Sequence, residues 1–240
     1  LKRSSAAVLV TTGESRVLLD IGAGTIRRLL EVGCPVVDIT HILITHFHPD
    51  HSGELASFLF SNKYPDASLR RRPLTLLGGP GFKEFFSKLS DVYGGWIALP
   101  PEKVRLVEVD PGEAGEMEFG DFYLSWSPVA HIPERLAYRI RDGVGKTVVY
   151  SGDTDESEDL KRLAIGADLL ICESALPDAM KATGHLSPSL AGHIAAAARV
   201  GKLVLTHFYP ECDTADMAAE CRRSYDGPLV LAEDLMEIEL

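Results

Sequence analysis

At 240 residues, with 45% apolar side chains and a formal net charge of -11, the chain can bury a large core, and most of its surface repels polyanions. A large nucleic-acid partner would therefore need a local basic patch, and the one compact basic run, Arg70-Arg71-Arg72, reads as a solvated loop. Four sparse cysteines without CxxC spacing (Cys34, Cys172, Cys212, Cys221) argue against a disulfide scaffold and for a reducing cytoplasm, and no apolar stretch is long enough to span a bilayer.

The chain opens on LKRSSAAVLV, without an initiator Met and in the middle of what reads as a hairpin arm, so upstream sequence is expected. Strand-length apolar runs then recur: AAVLV, RVLLDIG, HILIT, LTLLG, VRLVEV, FYLSW, LAYRI, TVVYSGD, DLLICES, KLVLTH and GPLVLAED. Between them lie amphipathic segments, beginning with TIRRLLEVG, which Gly33 closes. The others span Ser52 to Phe60, Gly81 to Leu89, Glu158 to Ala164, Pro188 to Val200 and Thr214 to Ser224. This interspersion predicts a layered α/β (α+β) fold, and with no stretch of linker composition the expectation is one domain over 1–240. A faint echo links ILITHFHP at 42–49 with LVLTHFYP at 203–210, each delivering a histidine as a strand stops.

Most chemistry is concentrated in ILITHFHPDHSGEL, Ile42 to Leu55. If Ile42 to Thr45 is a strand, His46 and His48 can project to one side in extended backbone. Pro49 stops strand pairing, and Asp50 and His51 fall near the first turn of a helix starting about Ser52. Imidazole nitrogen and carboxylate oxygen suit a divalent ion such as Zn²⁺, and one loop offers four of them; the rival reading is a polar strand-to-helix connection. Further candidates follow at later strand ends: His131, Asp153 and His207. Taken singly, Asp153 reads equally well as a turn residue and His131 as a loop residue. His41 and His193 are expected to be structural, and Phe85, Phe86 and Trp126 to be core or pocket wall.

With His46-Phe47-His48-Pro49-Asp50-His51, then His131, Ser151-Gly152-Asp153-Thr154 and Thr206-His207 in this order, the chain resembles the metallo-β-lactamase-fold hydrolases. RVLLDIGAG adds Asp20 at the place of the family's Asp before a Gly-rich turn, so the resemblance covers nearly the whole chain. It implies a four-layer αββα sandwich. It also implies His46, His48 and His131 on a first metal, Asp50, His51 and His207 on a second, and Asp153 on both. The ions implied are two divalent cations, Zn²⁺ or a Zn²⁺/Mn²⁺ mixture with Fe admissible, and the nucleophile is a hydroxide they generate.

Within that family, DLLICESALPDAMKATGHLSP resembles the ribonuclease Z and phosphodiesterase branch, in which a Glu supports a His. Glu173 and His185 match those positions, with His185 cast as the acid that protonates the leaving alkoxide. His185 is also a helix-start residue, since Ser187 and Pro188 have the form of an N-cap and first helical position, and the two readings are compatible. The residues expected to carry the reaction are therefore Asp50, Glu173 and His185. Ribonuclease Z enzymes carry a long RNA-gripping arm between the positions of His131 and Asp153, whereas IPERLAYRIRDGVGKTVVYSG leaves room for two short strands and a turn. The expected substrate is a small or cyclic phosphodiester, with RNA disfavoured. The rivals are a ribonuclease Z-type endonuclease, a hydrolase of sulfate esters or lactones using the same metals, and a non-catalytic scaffold. By analogy with the family a homodimer is expected.

Overall fold

The computed structural model describes residues 3–64, 66–112, 115–130 and 135–240. The chain divides into two compact units, Leu1–Asp110 and Pro111–Leu240, each built around its own sheet.

In unit 1 the strands are β1 (Val8–Thr12), β2 (Ser15–Leu19), β3 (His41–Ile44), β4 (Leu74–Gly78) and β5 (Val104–Glu108), lying in that order. β1 and β2 form an antiparallel hairpin, and β2 to β5 run parallel. Parallel neighbours need crossovers, which are supplied by α1 (Thr25–Glu31), α2 (Pro49–Ser52) with α3 (Leu55–Lys63), and α4 (Phe82–Tyr93). Every residue of β3 and β4 is buried, as their unbroken apolar runs suggest. Ile42, Ile44 and Leu76 of these strands pack with Phe58 and Phe82 of α3 and α4.

Unit 2 contains β6 (Glu116–Glu118), β7 (Phe122–Pro128), β8 (Leu136–Asp142), β9 (Thr147–Tyr150), β10 (Leu169–Glu173), β11 (Lys202–Thr206) and β12 (Leu229–Leu231), in the order β12-β11-β10-β9-β8-β7-β6. β6 to β9 are antiparallel and β9 to β12 parallel. The crossovers are α5 (Glu158–Ala164), α6 (Pro188–Ala198) and α7 (Met217–Cys221). The β8–β9 turn falls at RDGVGK: Asp142 Oδ1 accepts from Val144 N–H (3.0 Å) and Lys146 N–H (2.8 Å), and Gly145 takes φ 93°. α5 has the predicted bounds because Ser157 caps it, accepting from Leu160 N–H at 3.2 Å, with acids in its first turn and bases in its last.

Both units contain the same arrangement, a hairpin followed by three parallel strands. Leu19 pairs with Leu43 and Leu43 with Leu77 in unit 1, as Tyr150 pairs with Ile171 and Ile171 with Val204 in unit 2. This matches β2 with β9, β3 with β10 and β4 with β11, and the irregular hydrogen bonds follow. Asp20 N–H donates to Leu43 O as Ser151 N–H does to Ile171 O, at 2.9 and 3.0 Å. Arg16 N–H donates to Thr40 Oγ1 as Thr147 N–H does to Asp168 Oδ2, also at 3.0 and 2.9 Å. The echo in the sequence aligned β3 with β11, one strand away from the structural match; it reflects similar strand ends in different places.

Some expectations need correction. The helix expected from Ser52 is two, α2 beginning at Pro49 and α3 at Leu55, because Pro at a first helical position loses no hydrogen bond and a Cβ on Gly53 would meet Pro49 O at 2.4 Å. α4 runs on to Tyr93, and α7 is shorter than expected because Pro210–Thr214 forms a 3₁₀ turn. The short strand β6 was not anticipated, having only three residues, two of them Glu. Arg70 is not in a solvated loop: it is 1% exposed, its guanidinium donating to Asn62 Oδ1 and to the carbonyls of Ile39 and Val36 at 2.5 to 2.8 Å. Burial lowers its pKa to about 10, so it stays charged. All four cysteines are buried and free. Among the described residues, no helix is long and apolar enough to cross a membrane.

Candidate functional site

In unit 1 the histidine-rich loop starts where β3 stops. β3 ends at Ile44 and His48 is the N-cap of α2, so Asp50 and His51 lie inside the helix. The ring of His46 is 4.5 Å from that of His48 and 4.2 Å from that of His51, centroid to centroid. His51 Nε2 is 3.6 Å from Asp50 Oδ2. His46 and His51 are buried, whereas His48 is exposed.

Asp20 organises this loop from beneath. It follows β2 with φ 61°, a left-handed conformation that sets the direction of its side chain, and it is fully buried. Oδ1 accepts from Thr45 N–H (2.7 Å), and Oδ2 accepts from Thr45 Oγ1 (2.9 Å) and His51 Nδ1 (2.7 Å). A carboxylate on Nδ1 fixes the proton there and leaves the lone pair on Nε2, the nitrogen that could take a metal. Thr45 Oγ1 also contacts His46 Nδ1 at 3.0 Å, so one threonine connects Asp20 to a second imidazole.

In unit 2 the site residues come from the ends of β9, β10 and β11. After β9, Gly152 takes φ 56° and turns Asp153 away from the strand. Asp153 is buried, with Oδ1 3.3 Å from His207 Nε2 and Oδ2 3.9 Å from His185 Nδ1. The ligand atoms of Asp153, His185 and His207 all lie within 4.8 Å of one another. His207 also sits in left-handed backbone, φ 63°.

Glu173, the last residue of β10, is buried and accepts from Thr154 N–H at 2.6 Å. Its Oε1 and Oε2 lie 3.2 and 3.3 Å from His185 Nδ1. This contact raises the His185 pKa above its ordinary value, while burial pushes Glu173 up against the opposing effect of the same imidazole. With its protonated form favoured by Glu173 and its ring partly exposed, His185 is suited to giving up a proton.

Asp155 ties the loops of this site together. Its N–H donates to Ala130 O (3.4 Å), next to His131 in the chain, and its carboxylate accepts from Lys181 Nζ (2.9 Å) and Gly184 N–H (2.9 Å), just before His185. Nothing in the sequence marks it beyond its place two residues after Asp153. Tyr209, whose ring is 5.9 Å from His185 and 5.6 Å from His207, was also missed, although in the echo it stands where His48 stands. His131 lies outside the described residues. His41 is structural, its Nδ1 2.8 Å from Thr40 Oγ1, and Phe85 stacks on Phe47 at 4.9 Å.

Asp153, His185 and His207 of unit 2 are packed closely enough to hold a divalent cation, unit 1 gathers His46, His48, Asp50 and His51 on one loop, and the donor chemistry of both fits Zn²⁺ or a similar ion. Residues 15–208 match the family described as the β-lactamase superfamily domain. The chain is 32% identical over 220 residues to the uncharacterised protein ML1173 of Mycobacterium leprae, covering 89% of this chain and 74% of that one. The metallo-β-lactamase fold protein YhfI from Bacillus subtilis has the same fold, with a TM-score of 0.80 at 23% identity over 96% of this chain and 89% of that one. The short form of human tRNase Z superposes with a TM-score of 0.78 at 25% identity, covering 99% and 93%.

Proposed function

The chain belongs to the metallo-β-lactamase superfamily, whose members are metal-dependent hydrolases, and from that premise we propose that it hydrolyses a small or cyclic phosphodiester with the aid of two divalent cations. The residues that would hold the cations are His46, His48, Asp50 and His51 of unit 1 and His131, Asp153 and His207 of unit 2. When bound, such ions supply a water that ionises near neutrality and neutralise charge on a phosphoryl oxygen.

The chain's own residues account for the rest of the reaction. Asp20 holds the His51 proton on Nδ1 and so keeps Nε2 available. Glu173 holds His185 by Nδ1 and favours its protonated form, leaving Nε2–H as the proton donor to a departing alkoxide. This pair is the observation that carries the reading: hydrolysis at an activated acyl centre needs no separate proton donor, whereas expulsion of an alkoxide from phosphorus at neutral pH does.

His185→Ala tests it. Turnover should fall by about 10²- to 10⁴-fold on a dinucleoside monophosphate and far less on bis-4-nitrophenyl phosphate, whose leaving group departs unaided. Equal losses on both substrates would remove the acid role. A second reading, cleavage of precursor transfer RNA, is supported by the likeness to human tRNase Z and disfavoured by the short turn between β8 and β9. Precursor transfer RNA therefore belongs in the same substrate panel.

A further inference from the structure

Strand β8 and the residue before it carry three arginines at odd-numbered positions, 135, 139 and 141, with Ala137 between the first two, on one side by strand parity. Two of them are satisfied by the protein. Arg139 donates to Leu163 O (2.7 Å) and Ile165 O (3.0 Å), while Arg141 donates to Glu116 (3.1 Å) and lies 4.1 Å over the Tyr123 ring.

Arg135 differs. Its carbonyl accepts from Val129 N–H at 3.3 Å and the residue is 3% exposed, yet its Nε and Nη1 meet no hydrogen-bond partner among the described residues. Leaving guanidinium N–H groups buried and unmet is costly, and a fold tolerates it where an anion completes them. The direction is given by register. β8 and β9 pair Tyr138 with Tyr150, so the residue before β8 and the loop that follows β9 lie at the same end of this hairpin. Arg135 lies within electrostatic range of His185. The unmet donors therefore belong to the Asp153 and His185 end of unit 2.

We propose that Arg135 binds the non-bridging oxygens of a tetrahedral oxyanion, the phosphoryl group of the substrate, and thereby selects phosphate esters over carboxylic esters. The assignment rests on the phosphodiesterase reading for its substrate and on Arg135 itself for its chemistry. A planar guanidinium matches two oxygens of a phosphate in a fork, whereas a neutral carboxylic ester offers a single weak acceptor.

Three measurements on metal-loaded wild type, R135M and R135K test this: calorimetric titration with inorganic phosphate, turnover of bis-4-nitrophenyl phosphate, and turnover of 4-nitrophenyl acetate. R135M should weaken phosphate binding and raise KM for the diester by about tenfold or more, with acetate kcat/KM changed less than about threefold. R135K should recover part of the phosphate affinity, keeping the charge without the fork. An unchanged phosphate Kd in R135M, or equal losses on both esters, overturns the proposal. If R135M does not fold, a phosphate Kd in R135K equal to wild type does the same. If the wild type turns over no phosphodiester, the functional reading fails separately, and the phosphate titration alone still decides for or against Arg135.

Discussion

At the position after the second hairpin strand, unit 1 has Asp20 and unit 2 has Ser151; at the position after the facing parallel strand, or at its end, unit 1 has Thr45 and unit 2 has Glu173. The same backbone link joins each pair: Thr45 N–H donates to Asp20 Oδ1 at 2.7 Å, and Glu173 N–H donates to Ser151 Oγ at 3.0 Å. The small hydroxyl residue and the carboxylate have changed sides, and each carboxylate lies behind a histidine. The two results differ in tightness. Asp20 holds a fully buried His51 at 2.7 Å, an arrangement suited to a ligand that should not move. Glu173 holds His185 at 3.2 Å, and the His185 side chain is 19% exposed, which suits the proton-donating role proposed for it. One inter-strand relation therefore supports two kinds of histidine, according to which strand supplies the acid. Charge is divided just as unequally: 13 Lys and Arg face 12 Asp and Glu in Leu1–Asp110, against 11 and 23 in Pro111–Leu240. The bulk charge that disfavours polyanions belongs to unit 2.

This comparison can be broken at four points, in decreasing order of expected effect. Asp20→Ala strands buried Thr45 and His51 donors, so urea unfolding should show a loss of about 3–5 kcal/mol, and metal analysis a reduced stoichiometry. Glu173→Gln keeps an acceptor for Thr154 N–H; metal content should hold while turnover of a dinucleoside monophosphate falls about ten- to a hundredfold in steady-state assays. Loss of metal in this variant would erase the distinction between the two carboxylates. Ser151→Ala removes the hydroxyl that accepts from Glu173 N–H and donates to Gly152 O, and should cost about 1 kcal/mol by the same unfolding measurement.

The smallest effect concerns pH. At the opposite ends of the same strands, Thr40 in unit 1 and Asp168 in unit 2 accept the equivalent backbone N–H. Burial opposes the charged form of Asp168, but hydrogen bonds from Thr147 outweigh it and hold the carboxyl below its ordinary value. Its stabilising contribution is thus complete above the ordinary carboxylate range and is lost as pH falls through the lower native value. The gap in unfolding midpoint between wild type and Asp168→Asn should close on going from pH 7 to pH 3. The corresponding gap for Thr40→Val, with no titrating group, should remain.

Much of this was legible in the sequence because buried parallel strands leave unbroken apolar runs, and because the ligand types cluster where those runs stop. Eleven strand runs and the bounds of α5 could be read in this way. What could not be read depends on contacts distant in the chain. Arg70 looks like any basic loop residue until Asn62 and two carbonyls surround it, and Arg135 is an ordinary arginine in sequence. The repeat of the two units was hidden for the same reason. It lives in strand pairing, and the exchange of Asp20 for Ser151 and Thr45 for Glu173 removes it from residue identity, leaving only the misaligned THF match.

The Asp155 tether has an evolutionary consequence. Because one carboxylate fastens Lys181 and the backbone before His185, while its own N–H is fastened beside His131, a change at 155 alone loosens two loops at once. Relatives should therefore keep Asp155 and Lys181 together or replace both, and the spacing from Lys181 to His185 should vary only where that pair is lost. Substrate range in this lineage would then shift by coordinated exchange of a small set of positions rather than by drift at any one of them.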